Sequence, residues 1–152
     1  MRDALTAADR AFLDALRVAH LATADGDARP HVVPVCFAVL DERTLAFAVD
    51  DKPKSRARPL KRLRNLAENP RFALVADRWD EDWSRLAYLL VTGRGAACED
   101  AKRARRAIDA LRARYPQYAA MDLAPDRHPV TELAIESVHR WGPVGRVARR
   151  DP

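Results

Sequence analysis

The sequence predicts an α+β domain, mainly β, with about six antiparallel strands and about three flanking helices. Two kinds of signal lead there. Runs such as "HVVPVCFAVL" and "TLAFAVD" are short, apolar and rich in β-branched residues, and turn chemistry separates them. Three other segments carry apolar residues at helical spacing. No repeat, low-complexity tract or linker interrupts the 152 residues, and 48% apolar composition supplies a core, so residues 1–152 are expected to form one domain.

Taken in order, Thr6 and Asp9 before "AFLDALRVA" form a helix start, with Asp replacing the more usual Glu of a capping box; the helix is expected to end near Leu16. "VAHLATADGDARPHVVPVCFAVLDERTLAFAVD" breaks at Asp25-Gly26 and at Asp41-Glu42-Arg43 into three strands. Pro30 and Pro34 cannot donate to a ladder, which assigns the second strand an irregular or edge position. From Arg58 to Glu68, Leu60, Leu63 and Ala67 recur at helical spacing, with Lys61, Arg62, Arg64, Asn65 and Glu68 on the other faces; Asn69-Pro70 stops this helix. "RFALVAD" is a fourth strand, "WDEDWSR" a polar loop whose Trp79 and Trp83 read as core or loop anchors or as walls for a flat aromatic ligand, and "LAYLLVTGRGAAC" a fifth strand whose glycines mark a bulge or bend. Ala104, Ile108, Leu111 and Tyr115 line a third helix ended by Pro116, and "VTELAIESVHRW" is the sixth strand.

Several functions are disfavoured. The longest apolar run, Val33–Leu40, is too short to cross a bilayer, and the N-terminus lacks a signal-peptide layout, so a cytoplasmic location is expected. Cys36 and Cys98 have no metal or CxxC spacing and read as buried thiols. His20, His31, His128 and His139 are scattered without an HxxxH or HExxH pattern, so no metal site is expected, and no GxSxG or comparable nucleophile setting is present.

Charge is the most informative feature. Lys52, Lys54, Arg56, Arg58, Lys61, Arg62 and Arg64 place seven cations between residues 52 and 64, without which the chain has 20 cations against 22 acids. No acid interrupts the run before Glu68, so helix-supporting ion pairs do not account for it. A bound anion would relieve the repulsion. Nucleic acid is a poor candidate, because residues 50–71 contain no aromatic residue to serve as a stacking platform. A phosphorylated cofactor suits a strand, a Lys/Arg/Ser loop and a basic helix start.

In order, "GDARPHVVPVCFAV", "TLAFAVDDKPKS", "LKRLRNLAENPRFALVAD", "DEDWSRL" and "VTGRGAA" resemble the pyridoxamine-phosphate-oxidase-like split β-barrel flavoproteins, and most nearly their actinobacterial F420-dependent oxidoreductases. The resemblance covers roughly residues 8–142. It implies a homodimer of six-stranded barrels with a flavin or deazaflavin in each of two clefts between subunits. Lys61 and Arg62 match the residues that hold the cofactor phosphate, and Asn65 matches the helix position three residues on. Lys52, Lys54 and Ser55 lie in the lead-in that would follow a phosphate and its anionic tail. Val33, Pro34, Val35 and Cys36 match the strand along the ring system, Trp83, Ser84 and Arg85 a loop that reaches the cofactor, often across the dimer, and Trp141 an aromatic near the ring.

Flavin-binding members of that group usually place Arg or Lys on the second strand; this chain has Arg29 and His31 there, and Cys36 where the F420 group often has Trp. The resemblance therefore implies an F420H2-dependent reductase of a small unsaturated or quinone-like compound. An FMN-dependent oxidoreductase and a cofactor carrier without turnover stay open. Arg85, Tyr88 and His31 are candidate donors to developing charge.

Overall fold

The computed structural model describes residues 3–51 and 60–145, so Lys52, Lys54, Ser55, Arg56 and Arg58 lie outside the described residues. Helix α1 (Ala7–Asp14) begins with a closed capping box, in which Thr6 Oγ1 accepts from Asp9 N–H at 3.2 Å and Asp9 Oδ2 accepts from Thr6 N–H at 2.8 Å. Asp thus completes the box as Glu would. Asp9 also receives the guanidinium of Arg140, which ties the helix to the last strand.

The strands are β1 (Ala19–Ala24), β2 (Pro30–Val35), β3 (Ala38–Asp41), β4 (Thr44–Ala48), β5 (Arg71–Arg78), β6 (Ala87–Ala97) and β7 (Val130–Trp141). They pair antiparallel in the order β2–β1–β5–β6–β7–β4–β3. The second strand expected from sequence is therefore two, and among the described residues the count is seven instead of six. Its halves belong to opposite edges of the sheet: β2 pairs with β1, and β3 with β4. At the break, the Tyr115 hydroxyl takes over from a neighbouring strand. It accepts from Phe37 N–H at 3.1 Å and lies 3.2 Å from Phe37 O and 2.9 Å from Arg17 O. Pro30 and Pro34 fall on the edge strand β2, as their missing N–H groups require.

Inward residues of both sheet edges share one core, with Leu21, Val35, Phe37, Phe47, Leu74, Leu89 and Leu133 in a single buried cluster. Helix α2 (Lys61–Glu68) covers it near the start of β5. Leu66 enters the core, Ala67 is exposed, and Asn65 is buried; the helix is thus rotated from the face expected from sequence. Helix α3 (Ala101–Arg114) makes a second core with β3 and β4 through Ala104, Ile108 and Leu111. Burying each of the two larger side chains contributes about 1.5–3 kcal/mol. Pro116 ends α3 and occupies the first position of a fourth helix, α4 (Pro116–Ala120), where a missing N–H costs nothing.

The expected irregularity in the glycine-bearing strand lies between Thr92 and Gly93. A Cβ on Gly93 would sit 1.9 Å from Ala134 O, so the β7 backbone occupies the space that a side chain would need. Cys36 and Cys98 form no disulfide among the described residues and are half-buried, not fully enclosed as expected. Among the described residues no helix is long and apolar enough to cross a membrane.

Candidate functional site

The β1–β2 hairpin and the first turn of α2 build the candidate site. Asp25 organises the hairpin: Oδ1 accepts from Asp27 N–H and Arg29 N–H, both at 3.0 Å, and Oδ2 accepts from Arg29 Nε at 2.8 Å. These bonds, led by the Arg29 backbone, lower the Asp25 carboxyl to about 2. Glu68, at the end of α2, accepts from Gly26 N–H at 2.8 Å and fixes the helix against the turn. Asn65 donates through Nδ2 to Thr23 Oγ1 at 3.0 Å and accepts Lys61 Nζ at 3.1 Å. Lys61 Nζ is also 3.6 Å from Asp25 Oδ2. Two of the three ammonium protons of Lys61 therefore have neighbours among the described residues.

Arg62 is held differently. Its guanidinium lies 5.7 Å from the centre of the Phe47 ring, and buried Nε has no hydrogen-bond partner among the described residues. Burial lowers its pKa, opposed by the charge of Asp50 and by Tyr118. Asp50 just beyond β4 accepts from Tyr118 Oη at 2.7 Å, which fixes an anion whose charge acts on Arg62.

His31 on β2 stands opposite Thr23 and presents a buried Nδ1, again without a partner among the described residues. Its pKa is lowered by burial first, then by Lys61, Arg62 and Arg64. Burial and three nearby positive charges thus disfavour the imidazolium. Two orphan polar atoms, Arg62 Nε and His31 Nδ1, in locally positive surroundings give a chemistry that suits a phosphate.

The structure brings only part of the sequence-predicted set together. Lys61, Arg62 and Asn65 share α2, with Asn65 acting inside the fold on Lys61 and Thr23. Val33 and Val35 face inward with His31, whereas Pro34 faces outward with Val32. Cys36 lies past the strand end and packs at the edge of the second core. The four residues therefore do not offer one side-chain surface, and only the β2 backbone could run along a ring. Trp83, Ser84 and Arg85 form a 3-10 turn between β5 and β6, where Asp82 Oδ1 accepts from Ser84 Oγ at 2.7 Å and Arg85 pairs with Asp80.

That turn is at the Arg78–Ala87 end of the sheet, and α2 is at the Arg71–Arg94 end. At about 3.3 Å per residue the two ends are roughly 20 Å apart. Trp141 is with the turn; its ring stacks on Tyr88 at 5.5 Å and 15°. Trp79 and Trp83, expected as anchors or as walls for a flat ligand, are 65% and 72% exposed. Lys52, Lys54 and Ser55 are outside the described residues. Among the described residues no group of three His, Cys, Asp or Glu side chains could hold a metal.

Sequence reasoning missed Thr23, Asp50 and Tyr118 as supports of the site. An Asp directly after a buried strand was the available signal for Asp50; nothing local marked Tyr118, which comes from 68 residues away.

A family model described as pyridoxamine 5'-phosphate oxidase matches residues 5–142. No curated protein matches the chain. Among solved structures it is similar to the conserved hypothetical protein Rv2991 of Mycobacterium tuberculosis, at 18% identity and TM-score 0.70, covering 93% of this chain and 87% of that one. It is similar also to HutZ, the heme storage protein of Vibrio cholerae, at 17% identity and TM-score 0.66, covering 87% and 89%. A heme binding protein of Mycobacterium smegmatis matches at 23% identity and TM-score 0.67, covering 93% of this chain and 56% of that one. At these identities the structures speak for the fold. With the family model spanning the sheet and all four helices, the chain belongs to the pyridoxamine 5'-phosphate oxidase family and has its split-barrel fold.

Proposed function

We propose that this protein is a homodimeric, cytoplasmic F420H2-dependent oxidoreductase that reduces a small unsaturated or quinone-like compound. The observation that carries the reading is the cationic first turn of α2, where buried Arg62 Nε has no partner among the described residues. Lys61 and Arg62 would hold the phosphate. The further cations of residues 52–58 exceed the need of one phosphate and suit an anionic tail.

When bound, a reduced deazaflavin supplies the hydride. The chain's own residues bind, orient and exclude water. The edge strand β2 offers backbone to a ring, and Trp141 with Tyr88 offers a flat aromatic wall. Because one protomer carries the cations and this wall at opposite ends of its sheet, the reading requires a second copy to supply Trp83, Ser84, Arg85 and Trp141. The outward rows Val32–Ala22–Ala73 and Pro34–His20–Val75–Leu90 give that copy an apolar surface to cover. Arg85, Tyr88 and His31 remain the candidate donors.

The test is an equilibrium titration with F420, FMN and hemin, followed by anaerobic F420H2 consumption with a panel of acceptors and by light scattering. The reading expects F420 to bind more tightly than FMN, acceptor-dependent oxidation, and about twice the 17.1 kDa chain mass. Tighter FMN binding would make the protein a flavin oxidoreductase, and binding without turnover a carrier. A Soret band with hemin and no deazaflavin binding would move it to the heme-binding side of the fold.

A further inference from the structure

We propose that His31 is a proton-coupled ligand of the α2 site, taking up a proton from solvent as an oxyanion binds and donating it through Nδ1 to that anion. The inference rests on the phosphate reading above, with the cofactor phosphate as the anion. It goes beyond it in assigning a titrating group to a position where a fixed cation would give pH-independent binding.

The geometry supports it in three respects. Nδ1 of His31 is buried and has no partner among the described residues, so neither a carbonyl nor a carboxylate there uses its proton. The ring is on the inward face of β2, opposite Thr23, whose hydroxyl is already engaged by Asn65. The surrounding charges are also accounted for. From α2, Lys61, Arg62 and Arg64 act on the ring as cations, and Glu68 is turned away to Gly26 N–H. From the hairpin, Asp25 and Asp27 are paired with Arg29, and Asp25 also lies near Lys61. From the end of β4, Asp50 faces Arg62 and is bonded by Tyr118.

In the free protein, burial and the three cations keep His31 neutral at a pH where an exposed histidine is already part-protonated. A bound anion offsets that positive charge and favours the imidazolium. The sign follows: the complex binds one more proton than the free protein between the lowered free-state midpoint and the raised midpoint of the complex. Affinity falls as pH rises through that window, by up to about tenfold per pH unit.

Sulfate is the probe, because it does not titrate in this range as a phosphate monoester does. The measurement is the histidine Cε1–H NMR titration from acid to mildly alkaline pH, with and without saturating sulfate, using H31Q to assign the resonance. The expected result is a free midpoint below the ordinary 6.5. Sulfate should raise it by about one unit or more, and F420 should displace the sulfate. Sulfate affinity should be pH-dependent in the native protein and flat in H31Q. If sulfate binds in an Arg62-dependent way and the His31 midpoint does not move, the proton-coupled role is wrong and the anion site stands. If native protein binds no sulfate at any pH, or if F420 does not displace it, the phosphate reading falls and this proposal with it.

Discussion

Asn65 was expected to meet the cofactor and is found inside the fold, so its removal should appear first as lost stability. In N65A, Thr23 Oγ1 loses the donor at 3.0 Å and Lys61 Nζ the acceptor at 3.1 Å. The buried bond to Thr23 contributes about 1 kcal/mol, and leaving the hydroxyl without its donor adds roughly as much. The Lys61 bond counts for less, because that side chain is 37% exposed and its charge is screened. The total is about 2–3 kcal/mol. For a chain of this size that is roughly 5–10 °C in Tm. The assay is urea denaturation at one fixed protein concentration, for N65A, T23V and the double variant, since a dimer's stability depends on concentration. The two losses should overlap, with a coupling of about 1 kcal/mol. Strict additivity, or a loss below about 0.5 kcal/mol in N65A, would refute the assignment of Asn65 as the strut between α2 and β1.

Two further perturbations test the frame around the site. Y115F leaves Phe37 N–H buried without its acceptor at the β2–β3 break, and should cost about 2 kcal/mol in denaturant unfolding with little change in the circular dichroism of the native state. D9N addresses pH. Burial raises the Asp9 carboxyl, but the bonds from Arg140 and Thr6 outweigh it, so its pKa is lowered below 3.8. A lowered folded-state pKa gives stability that is present above the unfolded value and lost as pH falls through the folded one. D9N should therefore be less stable than the native protein at neutral pH by about 2 kcal/mol or more, and the gap should narrow below pH 4, as followed by thermal melts across that range.

The strands and their order along the chain were legible because alternation and turn residues are local signals. β7 falls on "VTELAIESVHRW" as read, and α3 buries the expected Ala104, Ile108 and Leu111. The break between β2 and β3 was not legible, since "VPVCFAVL" is apolar throughout and the group that receives it, Tyr115, lies 78 residues downstream. The same limit governs the site. Lys61 and Arg62 stand out by charge, but the burial of Asn65 depends on Thr23, 42 residues earlier, and that of Arg62 on Phe47 and Asp50. Helical spacing gave a face for α2; the hydrogen bond to Thr23 turned it.

The central claim is that the first turn of α2 binds the phosphate of a deazaflavin. Its most direct test is the dissociation constant of F420 for the native protein, K61A, R62A and, as a control on the exposed side of α3, R105A. A charge-assisted contact to phosphate contributes about 1.5–3 kcal/mol, so R62A should bind at least about tenfold more weakly. K61A should lose less, because Asn65 and Asp25 already engage its ammonium. R105A should match the native protein. Equal affinities in all four proteins would contradict the claim and return the basic segment to an ordinary solvated surface.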